Sequence, residues 1–326
     1  MPYTDLRDWI RQLDKAGELR RIGAPVSPYL EMAEIADRTA KLGKGTPNAG
    51  GPALLFENVT GFPGARVLMN QFGSLRRMKL ALETDSLDAI ADRIRVLLHP
   101  PTPHGFVAKL KMLPTLAEVG SFFPKVISAK DAACKQVIHR TAADGGQGID
   151  LLKLPVLTTW PQDGGPFITL PCVVTRDPKS GKRNVGMYRM QVYDGQTTGM
   201  HWQRQKNAAE HLRDRLRAAT GSATNPGGLT VATDLAARVD IMAQTSGGIA
   251  PASNPATIPT TTLTKVREGR MEVAVAIGTD PATTFSAIVP APPDVEEYLI
   301  AGFLRGKPVE LVKAETVDLE VPAHAE

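Results

Sequence analysis

The stretch NVGMYRMQVYDGQTTGMHWQRQK (184–206) decides the fold class. Residues 183–193 read as one strand, Asp194-Gly195 as a hairpin turn, and 197–202 as the returning strand. Upstream, 167–175 reads as a further strand, closed by the turn DPKSG (177–181). Strands joined by turns this short form antiparallel sheet, and the expectation is a barrel-like meander. A helix, KNAAEHLRDRLRAA (206–219), follows; then come a strand, MEVAVAIG (271–278), and a helix from about Pro293 with Val295, Tyr298, Leu299 and Gly302 on one face.

The first hundred residues have a different pattern. Thr4 can cap a helix whose apolar positions Leu6, Trp9, Ile10 and Leu13 keep three-four spacing, with Gly17 placed to end it. A second helix is expected over 28–42, strands at PALLFENV (52–59) and ARVLMN (65–70), and helices over 76–83 and 87–98. This is a small α/β domain. Residues 99–124 are Pro-rich and irregular (HPPTPHGF, KMLPTL, FFPK), which reads as a linker and puts the domains at 1–115 and 116–326. Residues 221–262, rich in Ala, Thr, Gly, Ser and Pro with a short helix near 235–243, read as an insertion without chemistry; long loops add little closure entropy.

Composition narrows the function class. Apolar residues at 42% against 22% charged are enough to build packed cores. The net charge of +4 is spread in singles and pairs rather than in a run, which argues against nucleic acid and suits anionic small ligands. The two cysteines, Cys134 and Cys172, have neither disulfide-scaffold nor zinc spacing, so a reducing cytoplasmic setting is expected. The charged N-terminus is not a signal peptide, and no run is long and apolar enough for a membrane span.

Five blocks carry a resemblance: NQFGSLRRM (70–78), LPVLTTWPQDGGPFIT (154–169), the 184–206 stretch, AIGTDPATTFSA (276–287) and EEYLIAGFLRGKPVELVKAETVDLEVPAHAE (296–326). Their order, wording and spacing resemble the UbiD decarboxylases, which work with a prenylated flavin. The implied fold is α/β (α+β): a small N-terminal α/β domain, then an FMN-binding split β-barrel-like domain, with the family's C-terminal domain absent. The implied reaction is non-oxidative decarboxylation of an aromatic or α,β-unsaturated carboxylic acid, with prenylated FMN as electron sink.

The resemblance also implies a site. A divalent cation, usually Mn2+, would bridge the flavin phosphate to Asn184 and Glu297, with K+ close by; hard oxygen donors suit such ions. Taken alone, Asn184 is a strand-edge residue and Glu297 a dipole partner in a helix's first turn. Arg189 matches the active-site arginine, whose planar fork would hold the substrate carboxylate. The flavin would lie along Met187, Tyr188 and Arg189, then His201, Trp202 and Gln203, then Lys206 and Asn207, with Thr169 and Pro290 as weaker contacts. Asn184 and Arg189 are five apart and would face opposite sides of an ideal strand, so an irregularity is expected, placed at Gly186.

Two departures from the family pattern stand out. Gln205 occupies the place where many members have a histidine beside the metal, and would be a weak neutral ligand. No Glu-Gly-Pro-Phe-Gly-Glu-like text, the family's source of the proton donor, occurs anywhere in the chain. The first reading is therefore a decarboxylase fragment lacking its catalytic acid. The alternatives are a non-catalytic flavin-binding module or a subunit completed by another chain. A flavin prenyltransferase would supply the cofactor, and the full-length family implies a homo-oligomer.

Overall fold

The computed structural model describes residues 3–46, 49–98, 117–140, 148–220, 270–291 and 295–326. The insertion at 221–262, most of the Pro-rich segment and the domain boundary at 115/116 lie outside these residues.

The chain opens with helix α1 (Leu6–Lys15), strand β1 (Leu19–Ile22), helix α2 (Glu31–Ala40), strands β2 (Ala53–Phe56) and β3 (Val67–Met69), and helices α3 (Leu75–Ala81) and α4 (Leu87–Leu98). Asp5, one residue after the expected Thr4, caps α1: its carboxylate accepts the Asp8 amide at 2.7 Å. β1 pairs in parallel with β2, and β2 antiparallel with β3. Arg77 of α3 is fully buried and ties this unit together, donating to the Gly50 and Gly51 carbonyls and to Glu18.

The second part contains β4 (Lys125–Val126), β5 (Phe167–Ile168), β6 (Cys172–Arg176), β7 (Arg183–Met187), β8 (Arg189–Val192) and β9 (Thr198–His201). Helix α5 (Asn207–Thr220), β10 (Ala274–Ala276), α6 (Pro281–Ser286), α7 (Glu297–Arg305), β11 (Glu310–Lys313) and β12 (Glu320–Pro322) complete it. The described strands form four three-stranded sheets: β1-β2-β3, β10-β6-β7, β12-β11-β4 and β5-β8-β9. The antiparallel meander is present, but among the described residues it does not close into a barrel.

The long strands read from the sequence are each broken in two. Residues 167–175 divide around Thr169–Pro171, where proline lacks the N–H a ladder needs. Residues 183–193 divide at Tyr188, so that β7 pairs with β6 while β8 pairs with β5 and β9. This transfer from one sheet to the next positions the site.

Sheet β10-β6-β7 is covered on both faces. Cys172, Val174 and Val185 pack with Tyr298 and Ala301 of α7, while Val173 packs with Tyr188, Met190 and Ala208 at the start of α5. The N-terminal part is not separate from this core: Leu82 and Ile90 share a cluster with Phe122, Ile300 and Phe303.

Candidate functional site

β7 is an edge strand, so its outward amides need partners from elsewhere. The Ala287 carbonyl accepts the Met187 amide at 3.1 Å, and Oε2 of Glu297 accepts the Val185 amide at 2.9 Å. The other oxygen, Oε1, accepts from Nδ2 of Asn184 at 2.5 Å. Asn184 and Glu297, 113 residues apart, thus meet side chain to side chain, at 7% and 5% exposure. Burial is the main reason the Glu297 carboxyl is pushed up to about 7, against the hydrogen bonds from Val185, its own amide and Asn184.

Two polar features of this pair are unsatisfied. Among the described residues no Lys, Arg or His forms an ion pair with Glu297, although its neighbour Glu296 is paired with Arg183. Oδ1 of Asn184 is buried and has no hydrogen-bond partner. A buried carboxylate without a countercharge beside an orphaned amide oxygen fits a hard cation. No group of three His, Cys, Asp or Glu able to hold a metal exists among the described residues, and what these bring together here is one carboxylate and one amide oxygen.

The irregularity between Asn184 and Arg189 lies at Tyr188, two residues beyond the expected Gly186. Gly186 stays in register opposite Val173. Its missing side chain serves a different purpose: a Cβ there would overlap the Tyr188 ring, which folds back over it. The Tyr188 hydroxyl accepts the Ala208 amide at 3.4 Å, and its ring meets Trp202 edge-on at 6.0 Å. Trp202 is therefore a half-buried packing partner of Tyr188 in the cluster with Val173 and Met190.

Arg189 begins β8, directly opposite His201 in register. Its guanidinium is already engaged. Nη1 donates to Oδ1 of Asp163 at 3.0 Å and Nη2 to Oδ2 at 2.6 Å, a side-by-side fork on a carboxylate. Nη2 also donates to Oγ1 of Thr159 at 2.9 Å, and the Phe167 ring lies 3.9 Å from the guanidinium carbon. The arginine holds the Asp163 carboxyl below the usual carboxylate range, helped by the Thr159 hydroxyl and the Trp160 amide. Neither Asp163 nor Thr159 was among the residues expected from the sequence. The available signal was the Asp-Gly-Gly of WPQDGGPF, where Gly164 and Gly165 let the chain turn back under β8.

Two family models match the chain. The N-terminal domain of 3-octaprenyl-4-hydroxybenzoate carboxy-lyase covers residues 10–95, and the Rift-related domain of the same enzyme covers 125–246 and 236–326. The chain belongs to the UbiD family. An uncharacterised protein of Archaeoglobus fulgidus is 41% identical over 326 residues, all of this chain and 54% of that protein. One from Aquifex aeolicus is 37% identical over 324 residues, 99% of this chain and 54% of that one. Among solved structures, the UbiD-class enzyme HmfF from Pelotomaculum thermopropionicum in complex with FMN matches with a TM-score of 0.68 and 25% identity, over 99% of this chain and 53% of that one. Vanillic acid decarboxylase from Sedimentibacter hydroxybenzoicus matches with a TM-score of 0.67 at 24% identity, over 100% of this chain and 54% of that one, a likeness of fold. This UbiD chain spans about half the length of the curated relatives it matches.

The other expected contacts are more dispersed over the UbiD chain. His201 is exposed at the end of β9; Gln203, Gln205, Lys206 and Asn207 are exposed in the turn into α5, where Gln205 Nε2 donates to Gln203 Oε1 at 3.0 Å. Gln205 has no hydrogen bond to Asn184 or Glu297. Met187 is half-buried at the strand break; Thr169, after β5, and Pro290, after α6, are exposed. No helix among the described residues is long and apolar enough to cross a membrane.

Proposed function

We propose that this chain is the cofactor-binding part of a prenylated-FMN-dependent decarboxylase, a carboxy-lyase for an aromatic or α,β-unsaturated carboxylic acid. The observation that carries this reading is the buried meeting of Asn184 and Glu297, with one orphaned amide oxygen and no ion-pair partner for Glu297 among the described residues. Family membership supports it, as does the similarity to HmfF, solved with FMN and, in an evolved dimeric form, with prenylated FMN.

In this reading Asn184 and Glu297 would hold a divalent cation, Mn2+ by preference with K+ nearby, which would supply the positive charge that a buried flavin phosphate needs. Turning the Asn184 amide over would present Oδ1 to the same cation as Glu297 Oε1. Met187, Tyr188, Arg189, His201, Trp202, Gln203, Lys206 and Asn207 would line the flavin, with Lys206 as the cation for its phosphate and Thr169 and Pro290 as weaker contacts. Gln205 is a weak ligand or none, given its bond to Gln203. Prenylated FMN, when bound, supplies the electron sink for loss of carbon dioxide. Arg189 orients the substrate carboxylate, and Phe167 beneath it fixes the plane of the guanidinium. The same reading includes a division near residue 115, a split-barrel arrangement of the second part, a cytoplasmic setting, a flavin prenyltransferase as supplier, and a homo-oligomer for the full-length family.

The test is to co-express the chain with a flavin prenyltransferase in medium containing Mn2+, then measure bound flavin by absorbance and manganese by elemental analysis. Asn184→Ala and Glu297→Gln should each lower both at least tenfold while the chain remains folded by circular dichroism. Flavin and manganese retained in both variants would refute the assignment. A second reading, a flavin module without turnover, is favoured by one feature: the fork of Arg189 is filled by Asp163. Bound flavin without release of carbon dioxide from any aromatic or unsaturated acid would support it.

A further inference from the structure

The donors of Arg189 can be accounted for one by one. A guanidinium has five N–H groups. Asp163 takes one from each terminal nitrogen, and Thr159 takes the second from Nη2. Nε–H and one Nη1 hydrogen remain, and they lie on opposite edges, so no adjacent pair is left for another carboxylate. One face of the group is covered by Phe167.

Asp163 is tightly held. Its Oδ2 also accepts the Thr159 hydroxyl at 3.0 Å and the Trp160 amide at 3.2 Å, and its side chain is only 12% exposed. The segment bearing it is fastened to β8 a second time, since Gln191 Nε2 donates to the Gly164 carbonyl at 2.7 Å. Gly165, at φ +148°, follows directly. The segment 159–165 is thus clipped to the two residues of β8, Arg189 and Gln191, that share one face of the strand, with a glycine hinge at its end.

We propose that Asp163 is the resident carboxylate of Arg189, and that a ligand monocarboxylate binds by exchange with it, the 159–165 segment releasing as the ligand enters. This deepens the reading of Arg189 as a substrate-carboxylate residue and rests on it. Charge selects exchange over addition: a second carboxylate on the same arginine, with Asp163 in place, would leave a net negative site in a half-buried setting, whereas exchange keeps one anion per guanidinium and returns Asp163 to water. Asp163 then sets affinity and selectivity. Only a carboxylate that gains more from the pocket than the tethered one loses will remain bound, because the apparent affinity is reduced by the fraction of sites that Asp163 leaves open.

Benzoate serves as the probe. Its binding is measured by titration calorimetry to the full chain, to Asp163→Asn and to Arg189→Met, and exchange of the Trp160 amide is followed by NMR in the unsubstituted chain. Exchange predicts that Asp163→Asn binds benzoate at least tenfold more tightly, that Arg189→Met loses binding, and that saturating benzoate speeds Trp160 amide exchange, opposite to the usual protection by a ligand. Equal or weaker binding by Asp163→Asn, or a Trp160 amide protected by benzoate, overturns the exchange while leaving Arg189 as a carboxylate residue. Benzoate binding that is absent, or unaltered in Arg189→Met, overturns both. The Trp160 measurement needs no substitution and decides the matter even if Asp163→Asn does not fold.

Discussion

Behind Asn184 stands a residue with no direct role in the proposed chemistry. Thr175 is directly opposite Asn184 on β6, is fully buried, and shares a hydrogen bond of 3.0 Å with Nδ1 of His211 on α5. Burial lowers the basicity of His211, more than Asp177, Glu210 and Asp214 raise it. The imidazole therefore takes up a proton less readily in the folded chain than in the unfolded chain, where it does so near its ordinary value of about 6.5. Below that value the unfolded state binds the extra proton, so the contribution of His211 is fully present above about pH 6.5 and is lost progressively as the pH falls from there through the lower folded value. Denaturant titrations at pH 7.5 and 5.5 should show a loss of stability over this interval that is smaller in His211→Gln, and an equal loss in both proteins would remove the histidine from the account. In Glu297 burial pushes the other way, raising the carboxyl to about 7, and its charged form has hydrogen bonds but no ion-pair partner among the described residues. Nothing near Asn184 or Glu297 in the sequence announces that they meet; only their places in the matched blocks do.

At the scale of elements, the deciding event is the transfer of one strand between two sheets at Tyr188. It puts Asn184 against α7 and Arg189 against the 159–167 segment, which an unbroken strand of one parity could not do. Gly186 makes the transfer possible, because the Tyr188 ring occupies the space where any larger residue would place its Cβ. Gly186→Ala should cost about 1–3 kcal/mol, the usual range for overpacking a buried site. Urea denaturation of the two proteins checks this, and a change below about 0.5 kcal/mol would mean that the ring moves aside freely. Helices were legible in the sequence because α1, α4, α5 and α7 carry their own three-four spacing, with Asp5 and Ser86 capping α1 and α4 and Gly306 ending α7. Pro171 marks the break within 167–175, but the position of the break at Tyr188 was not legible, since residues 183–193 have continuous strand character and the choice of partner is made by tertiary contacts. β1, with only Leu19 and Ile22 apolar, and the terminal pair β11-β12 depend on their neighbours in the same way. Asp163 was not singled out in the sequence, because its bond to Arg189 spans 26 positions.

Across the whole molecule, the start and end of the chain are joined through one buried arginine. Arg305, the last residue of α7, donates to Oδ2 of Asp280 at 2.8 Å and to the Tyr3 carbonyl at 3.3 Å; the two charged side chains are 6% and 5% exposed. Asp280 in turn caps α6, accepting the Ala282 and Thr283 amides and the Thr283 hydroxyl. Arg7 and Glu326 make a second, exposed link between the ends at 2.8 Å, one that contributes little because water screens it. The buried link is different. Removing the arginine leaves Asp280 charged, desolvated and without a cation, and that penalty, about 3–5 kcal/mol, exceeds the packing a methionine restores. It would be transmitted to the N-terminal part through Tyr3, whose ring packs on Trp9, and to the site through α7, which carries Glu297 at its other end. Arg305→Met should therefore lower stability by about that amount in a single unfolding transition followed both by Trp fluorescence and by far-UV circular dichroism. Two separated transitions, with only the N-terminal part melting early, would show that the shared cluster of Leu82, Ile90, Phe122 and Phe303 does not make the two parts cooperative. Arg305→Met combined with Asp280→Asn should recover part of the loss, since the uncompensated charge is then gone, and a double variant no better than the single one would locate the effect in the Tyr3 contact instead.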